Sequence, residues 1–128
     1  MKKYLLIDDE DIFNFIHSEV LRMNDAEDEV DMFTSAKEAL EYIERILGDK
    51  GKLPDVIFLD IRMPEMNGFE FLDELMKFGL KTFENTKIFM LSSSIDDRDT
   101  EKAMTYPFVK GFKGKPLSEE IIKEINGK

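Results

Sequence analysis

The sequence predicts an α/β domain spanning residues 1–128, a five-stranded parallel sheet with helices on both faces, and three observations predict it. Short apolar runs recur five times at strand length, and stretches of helical period separate them. Several runs are continuous rather than alternating, as strands become when helices cover both faces of a parallel sheet.

The first run, residues 4–7, leads into a helix whose apolar stripe is Ile12, Phe15, Ile16, Val20 and Met23. Residues 30–33 form the second strand. Ser35 and Glu38 make a capping box that opens a helix carrying Ala39, Leu40, Ile43 and Leu47, which Gly48 stops. Residues 49–53 read as a surface loop before the third strand at 56–59. A third helix, 68–78, carries Phe69, Leu72 and Leu75 as far as Gly79, and 81–86 is again a loop. The fourth strand is 88–91. The fourth helix, 97–106, has Ala103 and Met104 as inward residues and Ser94 or Asp96 as its cap. Strand five covers 108–112, and Ser118 starts a last helix through Ile121, Ile122 and Ile125. Strand followed by helix, repeated in this way, implies right-handed crossovers.

A chain of 128 residues with 42% hydrophobic content and eleven Phe is long and apolar enough for one packed core. The eight Met and the Phe at helical spacing read as that core. Acidic residues outnumber basic ones 28 to 18, and the net charge of -10 argues against direct binding of nucleic acid. With no cysteine, neither disulfides nor thiolate metal sites are available. Residues 1–7 lack the long apolar region of a signal peptide, and no segment reaches the roughly 20 apolar residues of a membrane span. A cytoplasmic location without membrane contact is the expectation. His17 falls on the outer side of the first helix, so a solvated surface histidine without a role is expected.

The chemistry gathers at strand ends. Asp8 and Asp9 follow the first strand, Asp60 the third, Ser92 the fourth and Lys115 the fifth. Open α/β sheets bind ligands outside their carboxyl ends where strand order reverses, and the order 2-1-3-4-5 brings strands one and three together there. Three carboxylates then converge, and like charges at such range stay ionised only if a cation compensates them. Oxygen donors of this kind suit Mg²⁺. A lysine and a serine hydroxyl on the same rim suit a transferring phosphoryl group, with Asp60 as the central candidate for nucleophile.

Four segments, LLIDDED, FLDIRMPEMNG, FMLSSS and GFKGKP, in this order and spacing, resemble the receiver domain of two-component response regulators over nearly the whole chain, close to its single-domain chemotaxis members. The resemblance implies a flavodoxin-like fold of sheet order 2-1-3-4-5. It also implies that Asp60 is the phosphoacceptor, Asp9 a direct Mg²⁺ ligand and Asp8 one acting through water. Arg62 would lend its backbone carbonyl to the metal, and Ser92 and Lys115 would contact the phosphoryl group. Ser92 and Phe112 would form the switch, Arg62 and Ser94 would tune phosphoryl lifetime, and Pro64 and Gly68 belong to the loop after the acceptor. Ser92 stands where threonine is commoner, with Ser93 and Ser94 behind it. Lys113 competes with Lys115, but only Lys115 precedes a proline, Pro116, across a bond that is typically cis in the family.

The implied partners are a sensor histidine kinase or histidine phosphotransfer protein and an unknown downstream protein. The sequence up to Lys128 holds no output domain, so output is expected to pass through a partner. The implied activity is limited to the chain's own phosphorylation and dephosphorylation. A phosphatase with an aspartyl intermediate would want an acid where Arg62 stands, and a flavin-binding domain would want a Ser/Thr/Gly-rich loop where residues 8–11 are acidic. A non-phosphorylated interaction module is the remaining alternative, and Asp9, Asp60 and Lys115 argue against it.

Overall fold

The computed structural model describes residues 2–126, with the elements β1 (Lys3–Ile7), α1 (Asp11–Asn24), β2 (Glu29–Phe33), α2 (Ala36–Ile46), β3 (Val56–Asp60), α3 (Gly68–Met76), β4 (Lys87–Ser92), α4 (Asp97–Ala103), β5 (Val109–Gly114) and α5 (Glu119–Ile125). The strands are all parallel and ordered β2-β1-β3-β4-β5, which is the expected topology. A short 3-10 turn, Lys50–Lys52, lies in the first expected loop, and another, Leu80–Phe83, starts one residue before the second.

Alternation along the central strands divides the core into two halves. Leu5, Ile7, Ile57, Leu59, Ile88 and Met90 face Ala39 and Ile43 of α2, Phe69, Leu72 and Leu75 of α3 and Ala103 of α4. Tyr4, Leu6, Val56, Phe58, Phe89 and Leu91 face Leu21 of α1 and Ile122 of α5. Each large apolar side chain buried in this way contributes about 1.5–3 kcal/mol, so β1, β3 and β4 are held from both sides. That rigidity serves their carboxyl ends.

Helix caps largely follow the sequence. Asp96 accepts the Arg98 N–H at the start of α4, and Ser118 accepts the Ile121 N–H at the start of α5. Ser35 accepts the Glu38 N–H at 3.4 Å as one half of the expected box. Among the described residues the full reciprocal box belongs to Asn67 and Glu70, with bonds of 2.9 and 3.0 Å, and it starts α3 beside the site.

The expected inward stripe of α1 is corrected in part: Ile16 is half-buried and Val20 packs on the Leu21 side of the core, but the rest of the stripe faces solvent. Ile12, Phe15 and Met23 are 61%, 59% and 72% exposed, whereas Asn14, His17, Ser18 and Leu21 are buried. The buried face is therefore rotated from the apolar one and is mostly polar, because it meets irregular backbone at the strand ends. The methionines divide as well: Met63 and Met90 are core, but Met23, Met32, Met76 and Met104 are exposed. Met104, expected to point inward, is the residue that ends α4 and is 52% exposed.

Between Ile88 and Phe89 the register with β5 shifts by one residue, so Val109 pairs with Ile88 but Gly111 pairs with Phe89. Lys110 is the extra residue of this bulge. A Cβ on Gly111 would come within 3.1 Å of the Phe89 ring, so only glycine passes beneath that ring without displacing it.

Candidate functional site

Sheet pairing carries the backbone past β1 and β5 into the site: the Asp8 N–H donates to the Phe33 carbonyl at 3.1 Å and the Lys115 N–H to the Ser92 carbonyl at 2.9 Å. Asp60 is the last residue of β3 and lies between them. α3 begins so close to that strand end that a Cβ on Gly68 would stand 2.6 Å from the Asp60 carbonyl oxygen. Any other residue there pushes the Asp60 backbone aside. The Gly68 N–H instead reaches the Ile61 carbonyl at 2.8 Å.

Carboxylate oxygens of Asp8, Asp9 and Asp60 lie within 4.8 Å of one another. Asp8 and Asp60 are buried, and Asp9 is the most exposed of the three. Lys115 donates to Asp8 Oδ2 at 2.8 Å and pairs with Asp60 Oδ1 at 3.3 Å. The other Asp8 oxygen accepts the Glu10 N–H at 3.0 Å. One ammonium thus faces three carboxylates, leaving two negative charges uncompensated. Burial and the neighbouring Asp8 charge push the Asp60 carboxyl up to about 7, against the pull of Lys115. Burial works against the Lys115 ammonium, but its bond to Asp8 and the two aspartate charges prevail and raise its pKa.

The remaining residues singled out in the sequence fall at different distances from this cluster. The Ser92 hydroxyl donates to the Ser94 carbonyl at 2.6 Å and accepts the Ser94 N–H at 3.1 Å, so these two serines close a tight turn on each other. The Arg62 side chain reaches across to Asp99 of α4 at 2.9 Å and is mostly exposed. Phe112 is half-buried against the α2, α3 and α4 side of the core. The two competing lysines separate cleanly: Lys113 pairs with Glu124 of α5 at 3.3 Å, while Lys115 enters the acid cluster. The Lys115–Pro116 peptide is cis.

Sequence reasoning missed the contribution of α1. His17 is 1% exposed, not solvated, and its Nε2 accepts the Leu117 N–H at 3.1 Å. Burial lowers its pKa to about 4, with the Asp8 charge opposing and the Lys115 charge reinforcing the shift. The Asn14 amide donates to the carbonyls of Asp8 and Phe33 at 3.0 and 3.2 Å. The Phe13 ring lies under the Lys115 ammonium, 4.2 Å from Nζ to centroid. A signal was present: Asn14, His17, Ser18 and Leu21 recur at the spacing of a single helix face.

With this geometry in place, comparison with known proteins is informative. Among solved structures, a two component response regulator from Cytophaga hutchinsonii is 31% identical with a TM-score of 0.90, covering 98% of this chain and 93% of that one. The Vibrio cholerae chemotaxis protein CheY4, crystallised at low pH, is 26% identical with a TM-score of 0.80 over 99% of this chain and 97% of that one. Sensor histidine kinase CheAY of Helicobacter pylori is 31% identical over 96 residues, which is 72% of this chain but 11% of that protein. A protein-glutamate methylesterase/protein-glutamine glutaminase of Agrobacterium fabrum is 39% identical over 77 residues, 60% of this chain and 20% of that protein. This chain therefore spans a fifth or less of those two curated relatives. No helix among the described residues is long and apolar enough to cross a membrane. The response regulator receiver domain profile matches residues 4–126, and the chain accordingly belongs to that family of two-component signalling domains.

Proposed function

We propose that this receiver domain accepts a phosphoryl group on Asp60 from a sensor histidine kinase or histidine phosphotransfer protein, and passes the signal to a downstream protein from the cytoplasm. The observation that carries the reading is the convergence of Asp8, Asp9, Asp60 and Lys115 on one sheet end. An oxygen of the Asp60 carboxylate forms the new bond to phosphorus as the donor's P–N or P–O bond breaks, and the donor leaves as imidazole or carboxylate. For that attack Asp60 must be ionised, which its raised pKa opposes.

The donor set fits a divalent cation: hard oxygens, with two negative charges that Lys115 leaves unmatched. Asp9, Asp60 and the Arg62 carbonyl would hold Mg²⁺ directly and Asp8 through water. Mg²⁺ supplies charge neutralisation for the nucleophile and the phosphoryl oxygens. Lys115 would turn its ammonium to the phosphoryl group, and the Ser92 hydroxyl would leave the Ser94 carbonyl to donate to it. Space opened behind Ser92 would admit Phe112, changing the surface of α4, β5 and α5 that a partner reads. Arg62 and Ser94, which follow Asp60 and Ser92 by two residues, would set phosphoryl lifetime.

Intact mass after incubation with Mg²⁺ and a small acyl phosphate tests the reading without the kinase. One phosphoryl group is expected on the wild type and none on Asp60→Asn. Modification persisting on that variant would reassign the acceptor. Without divalent cation at pH 8, Asp60→Asn is also expected to melt higher than wild type, because it removes a buried charge beside Asp8.

A further inference from the structure

We propose that α1 positions the Lys115 ammonium through two side chains, His17, which accepts the Leu117 N–H, and Phe13, whose ring lies beneath Nζ. The consequence for phosphoryl transfer rests on the acceptor reading of Asp60, but the positioning stands on contacts of its own.

His17 and Leu117 are 1% and 3% exposed, and the bond between them joins residues 100 apart in the chain. A backbone N–H only donates, so Nε2 must be the bare nitrogen, and the proton of the neutral ring sits on Nδ1. Burial favours that neutral ring, which keeps Nε2 available as an acceptor. Leu117 stands two residues after Lys115, beyond the cis peptide, and a buried N–H has to meet an acceptor, so the place of His17 fixes the path of the loop. Phe13 stands one turn earlier on the same helix, its ring 5.8 Å from the imidazole and 4.2 Å from Nζ. The face of an aromatic ring attracts an ammonium, so Phe13 draws Nζ in addition to the hold of Asp8 and Asp60.

The same helix face governs the opposite wall. Asn14 lies between Phe13 and His17 and holds the carbonyls of Asp8 and Phe33. α1 therefore spans the site from the Asp8 turn to the loop of Lys115, and the separation of acid and ammonium depends on one rigid element. In reactions governed by placement, displacement of a charged group by about 1 Å costs rate heavily.

Two measurements decide the matter. Nitrogen and proton NMR of the wild-type imidazole is expected to show the Nδ1–H tautomer with Nε2 coupled to the Leu117 amide. An Nε2–H tautomer overturns the proposal. His17→Leu keeps volume but removes the acceptor, and is expected to shift the Lys115 Nζ resonance and to lower the maximal rate of Asp60 phosphorylation about ten-fold at saturating Mg²⁺ and acyl phosphate. His17→Gln restores an acceptor oxygen and is expected to recover the rate to within about three-fold, an outcome a purely space-filling role would not give. A leucine variant with wild-type rate and Nζ resonance, or a glutamine variant as slow as leucine, overturns it. Should His17→Leu not fold, Phe13→Leu takes its place: loss of the ring face is expected to move the Nζ resonance, and an unmoved one counts against Phe13. If the wild type takes no phosphoryl group, the acceptor reading fails, and the tautomer and the Nζ resonance still decide the positioning.

Discussion

α1 and α2 cover opposite faces of the sheet, and each carries apolar residues at helical spacing, yet they turn different residues inward. α2 buries Ala36, Ala39 and Ile43 against regular strands, with Leu40 and Leu47 half-buried at the margin. α1 leaves Ile12, Phe15 and Met23 in solvent and buries Asn14, His17 and Ser18 above Leu21. The regular strands under α2 have already satisfied their own N–H and C=O groups, so apolar area alone decides its rotation. α1 faces the ends of β1 and β2 and the loop after β5, where the Asp8 carbonyl and the Leu117 N–H take partners from α1 and the Phe33 carbonyl, already bonded to the Asp8 N–H, takes a second. Leaving such groups buried and unmet costs about 1–3 kcal/mol each, comparable to what burying one more apolar side chain would gain. A polar face wins there.

The contrast breaks first at Ile43. Ile43→Ala, at a position with 0% exposure, is expected to lose about 3–4 kcal/mol by urea denaturation. A loss below about 1 kcal/mol would mean that the stripe of α2 is no more a core than that of α1.

Acid comes next, and it acts on α1 through His17. The unfolded chain binds a proton at His17 near pH 6.5, whereas the folded one resists it down to about 4. The contribution of His17 is therefore complete above pH 6.5 and lost as pH falls towards 4, by at most about 3 kcal/mol. Denaturation curves between pH 7 and 4.5 should lose that slope in His17→Gln, and an unchanged slope would assign it to carboxylates.

Asn14→Ala removes both bonds to Asp8 and Phe33 and should cost about 2 kcal/mol, with faster amide exchange around residues 8–10. At the small end, Phe15→Ser on the exposed stripe is expected to stay within about 0.5 kcal/mol of wild type. A large loss there would show that the apolar face of α1 is structural after all.

Much of this architecture was legible in the sequence, since five apolar runs place the strands to within two residues and their carboxyl ends carry Asp8, Asp60, Ser92 and Lys115. Asp96 and Ser118 announce their helices by chemistry that acts within three residues. What escaped depends on distant partners. Nothing near His17 in the chain discloses Leu117, and the ring of Phe13 has no local sign of the ammonium above it. Lys113 and Lys115 both follow the same apolar run, and the proline after Lys115 tells them apart, but the Glu124 partner of Lys113 has no local sign.

The bulge in β5 sets the parity of everything after it. Val109 and Phe112 lie three residues apart, yet both pack on the α2, α3 and α4 side, because Lys110 is skipped in the count. Gly111 and Lys113 consequently pair with Phe89 and Leu91, whose side chains belong to the α1 and α5 side. Were Lys110 drawn into the ladder instead of skipped, the effect on side chains would be that of a frameshift on codons: each residue downstream remains in order, but Phe112 and Lys113 exchange faces. The segment running into Lys115 is thus written in a phase fixed five residues earlier, and a loss of the bulge that kept Lys110 would reach the acid cluster without touching any group that belongs to it.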